Sequence, residues 1–177
     1  MTFGEPASLR HPERVIAIRR ALPVDDTALG RLDAVTWTGD VSPAPAPPDG
    51  TPFFNDRTRP DDVLVAEVDG SVAGYARLGR SITLPSHRHV LELNGLSVDP
   101  SCRRLGVGRQ LIEAAVEEAR HRGARKLSLR VLGANTNARK LYEECGFVIE
   151  GLLREEFLLQ GRYVDDVFMA RQLESAQ

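Results

Sequence analysis

Arg103-Arg104-Leu105-Gly106-Val107-Gly108 combines basic side chains, a Gly-x-Gly turn and the start of a helix, a set of features suited to holding an anion. The first turn of a helix presents backbone N–H groups that have no intrahelical partner. Gly106 and Gly108 lack a Cβ, so a diphosphate could approach the backbone closely. The helix dipole adds about 0.3–1 kcal/mol per anionic charge, and Arg103, Arg104 and Arg109 add charge from side chains. Two familiar phosphate loops are absent. No Gly-x-x-x-x-Gly-Lys-Ser/Thr occurs, and Leu111 stands where a dinucleotide fingerprint requires its third glycine.

The turn needs a strand before it and a helix after it, and the flanking residues predict both. Residues 89–98 read as a strand entering the turn. From Val107, the apolar residues Leu111, Ile112, Ala115, Val116 and Ala119 follow helical spacing, and Gly123 stops the helix. Further along, Asn135 or Thr136 caps a second helix in which Ala138, Leu141, Tyr142 and Cys145 share a face, and Gly146 ends it.

The remaining elements follow from alternation and turn chemistry. Val15–Arg20 predicts a strand, and Asp25-Asp26 predicts a helix start with Leu29, Leu32 and Val35 on the buried side. Residues 42–52 carry so many prolines that a long loop is expected, in the position of a lid. Residues 63–68 and 72–78 form a hairpin around Asp69-Gly70, Leu127, Leu129 and Val131 mark a strand, and residues 147–159 and 163–171 form a last hairpin around Gln160-Gly161. Antiparallel hairpins followed by a strand–helix–strand unit imply an α/β protein with a mixed sheet.

A length of 177 residues with 42% hydrophobic residues suits one domain, with a core over about residues 15–171 and mobile ends at 1–14 and 172–177. The N-terminus lacks a basic-then-apolar leader, and no apolar run nears the ~20 residues of a membrane helix, so cytoplasmic residence without membrane attachment is expected. Cys102 and Cys145 have no spacing that suggests metal or redox chemistry. The net charge of −2 gives no bias towards nucleic acid. Locally, residues 101–130 hold eight basic side chains against three acidic, whereas residues 143–177 hold eight acidic against three basic. The first region suits an anionic ligand and the second an amine.

Leu96-Ser97-Val98-Asp99-Pro100, the turn in its form Arg-x-x-Gly-x-Gly, and Asn135-x-x-Ala138-x-x-Leu141-Tyr142-x-x-x-Gly146-Phe147 together resemble the GNAT acyltransferases, the Gcn5-related N-acetyltransferases. The resemblance extends from about Val15 to Met169. It implies the GNAT fold: a central mixed, mostly antiparallel sheet flanked by helices, with a V-shaped strand splay at the coenzyme site. Acetyl-CoA is the implied cosubstrate, with no metal. The final pattern, Gly161 to Met169, is similar to subgroups that acetylate free amino acids and other small amines. A homodimer fits the same resemblance.

The family pattern implies that Leu96, Ser97 and Val98 lie along the pantetheine arm, with the Leu96 N–H polarising the acetyl carbonyl. The amides of Arg104, Leu105, Gly106, Val107, Gly108 and Arg109 would hold the diphosphate, and Asn135 and Arg139 would touch the coenzyme. Glu92 is the general base the resemblance implies, four residues before Leu96 where the histone-acetylating members place their glutamate, and the even spacing also predicts that both lie on one sheet face. His87, His89 and a water chain are the alternatives. Tyr142 is the expected acid for the departing thiolate. The expected activity is transfer of acetyl to a small primary amine, with a protein N-terminus or lysine as the alternative acceptor and a non-catalytic acyl-CoA sensor as the alternative class. Residues 37–60 and the last hairpin would shape the acceptor pocket.

Overall fold

The computed structural model describes residues 14–39, 41–48 and 50–173. Seven strands form one sheet in the order β1-β2-β3-β4-β5-β7-β6: β1 Ile16–Arg20, β2 Val63–Val68, β3 Ser71–Gly79, β4 Val90–Val98, β5 Lys126–Leu132, β6 Val148–Leu159 and β7 Arg162–Gln172. Among the described residues only β4 and β5 run parallel; every other neighbouring pair is antiparallel. Helix α1 (Asp26–Thr36) covers one face, while α2 (Val107–His121) and α3 (Thr136–Glu144) pack into the core on the other.

The larger core lies under α2, whose Leu111, Ile112, Ala115, Val116 and Ala119 are all buried as their spacing predicts. Leu64, Ala66 and Val68 of β2 point into this core, while Val63 and Val65 point to a smaller one formed with Leu29, Leu32, Phe53 and Tyr75. Both faces of β2 are therefore apolar, as a central strand requires. Val35, expected on the buried side of α1, is instead exposed, because only Leu29 and Leu32 face the sheet.

The β2–β3 hairpin turns at Asp69-Gly70 with positive φ at both residues (51° and 80°), the type I′ geometry that Asp-Gly favours. The expected mobile ends fall mostly outside the described residues. However, β7 extends to Gln172, and the Leu173 side chain is buried in the larger core, its N–H donating to the Arg125 carbonyl at 2.8 Å.

The parallel pairing is short. β4 meets β5 at Val90↔Lys126, Leu91↔Leu127 and Glu92↔Ser128 and then leaves it, while β4 stays paired with β3 from Glu92 to Val98. The sheet thus opens between the C-terminal halves of β4 and β5, next to the start of α2.

Candidate active site

A cleft of about 840 Å³ lies in this opening. One wall is β4 from Leu93 to Val98, the floor includes the turn before α2, and the other wall comes from Arg130 and Val131 of β5 and from α3. Because β5 has departed, the backbone groups of β4 that point towards it have no ladder partner beyond Glu92 among the described residues. That exposed strand edge leads into the glycine turn.

In the turn, Arg104 and Gly106 take positive φ (63° and 85°), and Gly106 caps α2 in the left-handed region. The first amide bonded within the helix is that of Gln110, which donates to the Gly106 carbonyl at 3.0 Å. The amides from Arg104 to Arg109 have no acceptor among the described residues. Consecutive free N–H groups of this kind at a helix start form an anion cradle. A Cβ at Gly106 would meet nothing within 4 Å, so its glycine serves the positive φ. A Cβ at Gly108 would stand 3.2 Å from Leu141 Cδ2 and 3.8 Å from Val98 Cγ2. That glycine therefore also serves the close packing of α2 against α3 and β4.

Leu96, Ser97, Val98, Arg103, Arg104, Gly106, Val107, Gly108, Arg109, Asn135 and Tyr142 all line the cleft. Leu105 contributes its free amide to the turn, and its exposed side chain is not part of the lining. Asn135 is the cap of α3, its Oδ1 accepting the Ala138 N–H at 3.2 Å. Arg139 lies elsewhere. It lines a separate cavity of about 460 Å³ against β6 and β7, and its Nη1 donates to the Gly133 carbonyl at 3.4 Å. The Arg109 side chain pairs with Glu144 at 2.9 Å, which ties α2 to α3.

The ring of Tyr142 packs near Phe147, with centroids 5.9 Å apart, and the residue also lines the cleft. Its hydroxyl has no hydrogen-bond partner among the described residues. Burial, with a smaller contribution from nearby Cys145, raises its pKa well above that of a free tyrosine. The group therefore stays protonated at neutral pH.

The even spacing of Glu92 and Leu96 does not keep them on one sheet face. Between Leu93 and Gly95 the ladder slips by one residue, because Leu78 pairs with Leu93 while Arg77 pairs with Gly95. Asn94 is the extra residue of a β-bulge, and a bulge reverses which residues share a face. Leu91, Leu93, Leu96 and Val98 all point to the larger core, so Glu92 and Leu96 lie on opposite faces despite their even spacing. Glu92 lies on the α1 side and accepts a hydrogen bond from the Ser81 hydroxyl. The signal was present in the sequence: the apolar positions switch from odd (Leu91, Leu93) to even (Leu96, Val98).

Sequence reasoning missed the α1 face of the same opening. Ser97 Oγ donates to Thr36 Oγ1 at 2.5 Å, and Thr36 also lines the cleft. One turn earlier on α1, Asp33 accepts the Tyr75 hydroxyl at 2.6 Å. No spacing in the chain links Asp33 to Tyr75, 42 residues away.

Among the described residues, no group of three or more His, Cys, Asp or Glu side chains gathers as a metal site, and no helix is long and apolar enough to cross a membrane. The chain is 31% identical over 112 residues to the L-amino acid N-acyltransferase MnaT of Escherichia coli, covering 63% of this chain and 64% of that one. It is 30% identical over 112 residues to the L-methionine sulfoximine/L-methionine sulfone acetyltransferase of Salmonella typhimurium, covering 63% and 65%. The match thus spans a little under two thirds of the length of these curated relatives. Among solved structures, smu.2055 of Streptococcus mutans superposes with a TM-score of 0.80 at 28% identity, over 89% of this chain and 99% of that one. Residues 28–147, which carry most of α1, the splayed strands, the amide turn and α3, match the Acetyltransferase (GNAT) family, and the chain is a member of it.

Proposed function

We propose that the protein is an acetyl-CoA-dependent N-acetyltransferase that acetylates the primary amine of a small molecule, in particular a free amino acid. The single observation that carries this reading is the open β4 edge running into the free amides from Arg104 to Arg109. An extended amide-bearing arm that ends in a diphosphate matches those two features in order. The names of the relatives support an amino-acid acceptor.

In this reading, the Leu96 N–H, on the open edge, draws charge from the thioester carbonyl. The acceptor nitrogen attacks that carbon directly in a ternary complex. The N–C bond forms, the C–S bond breaks, and the amine proton leaves to Glu92. The Tyr142 hydroxyl gives its proton to the departing thiolate. A second copy of the chain completes the assignment: β6 is an edge strand with Val148, Ile149, Leu152, Leu153 and Leu158 exposed, a surface suited to pairing with itself.

A thiol-release assay with acetyl-CoA against amino acids, simple amines and N-terminal peptides tests the reading. The expected result is acceptor-dependent thiol release with amino acids exceeding that with peptides. Coenzyme binding without turnover of any amine would overturn the catalytic assignment.

A further inference from the structure

We propose that the chamber beneath the proline-rich loop is a zwitterion site in which Arg77 binds the acceptor's carboxylate and Asp33 its ammonium group. The proposal deepens the acetyltransferase reading above and rests on it.

The chamber, about 580 Å³, lies between α1, the loop and β3, and its apolar walls include Trp37, Phe53 and Tyr75. The loop is tied in place. Trp37 Nε1 donates to the Ala44 carbonyl at 3.1 Å, and the Phe54 N–H donates to Asp26 Oδ1 at 2.8 Å.

Four charged side chains line this space, Asp26, Arg31, Asp33 and Arg77, and none of them takes part in an ion pair among the described residues. Arg77 is held by neutral acceptors: Nε by Asn94 Oδ1 and Nη2 by the Asn94 carbonyl, both at 3.0 Å, and Nη1 by Thr58 Oγ1 at 3.1 Å. A guanidinium has five N–H groups, so two remain for a ligand. Asp33 uses Oδ1 to accept the Tyr75 hydroxyl and has Oδ2 free. Of the other charged groups lining the chamber, Asp26, whose Oδ1 accepts the Phe54 N–H, stands at the start of α1 two turns from Asp33, and Arg31 is exposed. A cation and an anion that line one aromatic-walled space without pairing are complementary to a ligand that carries both charges.

The chamber adjoins the coenzyme cleft. Arg77 is the cross-strand partner of Gly95, and Tyr75 that of Ser97; both partners line the cleft. A Cβ at Gly95 would stand 3.2 Å from Tyr75 Cε2 and 3.3 Å from Arg77 Cβ, so the strand passes close to both side chains. In an α-amino acid the amine and the carboxylate share one carbon. The group that binds the carboxylate must therefore stand close to the nitrogen to be acetylated, and one strand spacing from the open β4 edge meets that condition.

The test titrates L-alanine, L-leucine and L-phenylalanine, and the amide of each, into the protein calorimetrically, with and without coenzyme A. At least one acid is expected to bind roughly 10-fold or more tightly than its amide, as a charge-assisted contact allows. Arg77→Met should abolish that preference, Arg77→Lys should restore part of it, and Asp33→Asn should weaken acid and amide alike. Coenzyme A affinity should stay unchanged throughout. Equal binding of acid and amide by the wild type, a preference that survives Arg77→Met, or no binding of any acid would overturn the proposal. Thiol release with a carboxylate-free amine would in that case leave the acetyltransferase reading standing. Conversely, an acid preference without coenzyme A binding would retain the chamber and remove the acetyltransferase reading.

Discussion

Tyr142 and Glu92 lie on different sides of the sheet, and their proposed roles fit their surroundings. The tyrosine is buried and its hydroxyl is kept protonated, which suits a donor. Tyr142→Phe preserves the packing against Phe147 and removes only the hydroxyl, so kcat should fall roughly 10²–10³-fold while the melting temperature hardly moves. An unchanged kcat would leave Tyr142 as packing alone. Glu92→Gln should cost most near neutral pH and progressively less as rising pH frees the amine; a deficit equal at every pH would remove Glu92 from the proton path. At this scale the turn and the two motifs were legible, because each is a contiguous run whose chemistry follows from its own spacing. Arg77 and Asp33 were not, since their shared chamber depends on the fold bringing α1 onto β3.

Helix α1, which carries Asp33 and Thr36, is fixed to the sheet edge at its start. Arg19 of β1 donates to Asp25 Oδ2 and Oδ1 at 2.7 and 2.9 Å and also reaches Glu67 of β2, and the Leu22 N–H donates to Asp25 Oδ2 at 2.7 Å. The Arg19 guanidinium, with help from that N–H, holds the buried Asp25 carboxyl below the usual carboxylate range. A carboxyl whose pKa is depressed by folding stabilises the fold above its unfolded pKa, about 3.9, and loses that contribution as pH falls through its folded value. Asp25→Asn should therefore cost about 2 kcal/mol at pH 7, and its difference from the wild type should narrow below about pH 4. Urea unfolding at pH 7, 4 and 3 measures this. A constant difference would show that shape, and not charge, anchors the helix. Element by element, periodicity and caps predicted nearly every strand and helix. The bulge at Asn94 is marked in the chain only by the switch of apolar positions from odd (Leu91, Leu93) to even (Leu96, Val98), which strict alternation along β4 passes over.

At the scale of the whole molecule, the two ends of the sheet differ. β1 closes one edge with five residues and presents Arg19 and Arg20, the short charged form that discourages further pairing. β6 closes the other with twelve residues, and its Val148 and Leu158 are 62% and 61% exposed. The strand order that splays β4 from β5 also inserts β7 between β5 and β6, which leaves β6 outermost. That insertion could not be read from the chain, because a hairpin's alternation is the same whichever of its strands lies inside. Sedimentation velocity should therefore give a species of twice the 19.5 kDa chain mass. Val148→Lys with Leu158→Lys should shift it to the monomer, since a lysine on an exposed edge strand costs little in the monomer and must be desolvated in a paired edge. Wild-type protein that sediments as a monomer at all concentrations would show that the twists introduced by the β6 bulges, between Ile149 and Gly151 and between Leu153 and Phe157, suffice to keep this apolar edge unpaired.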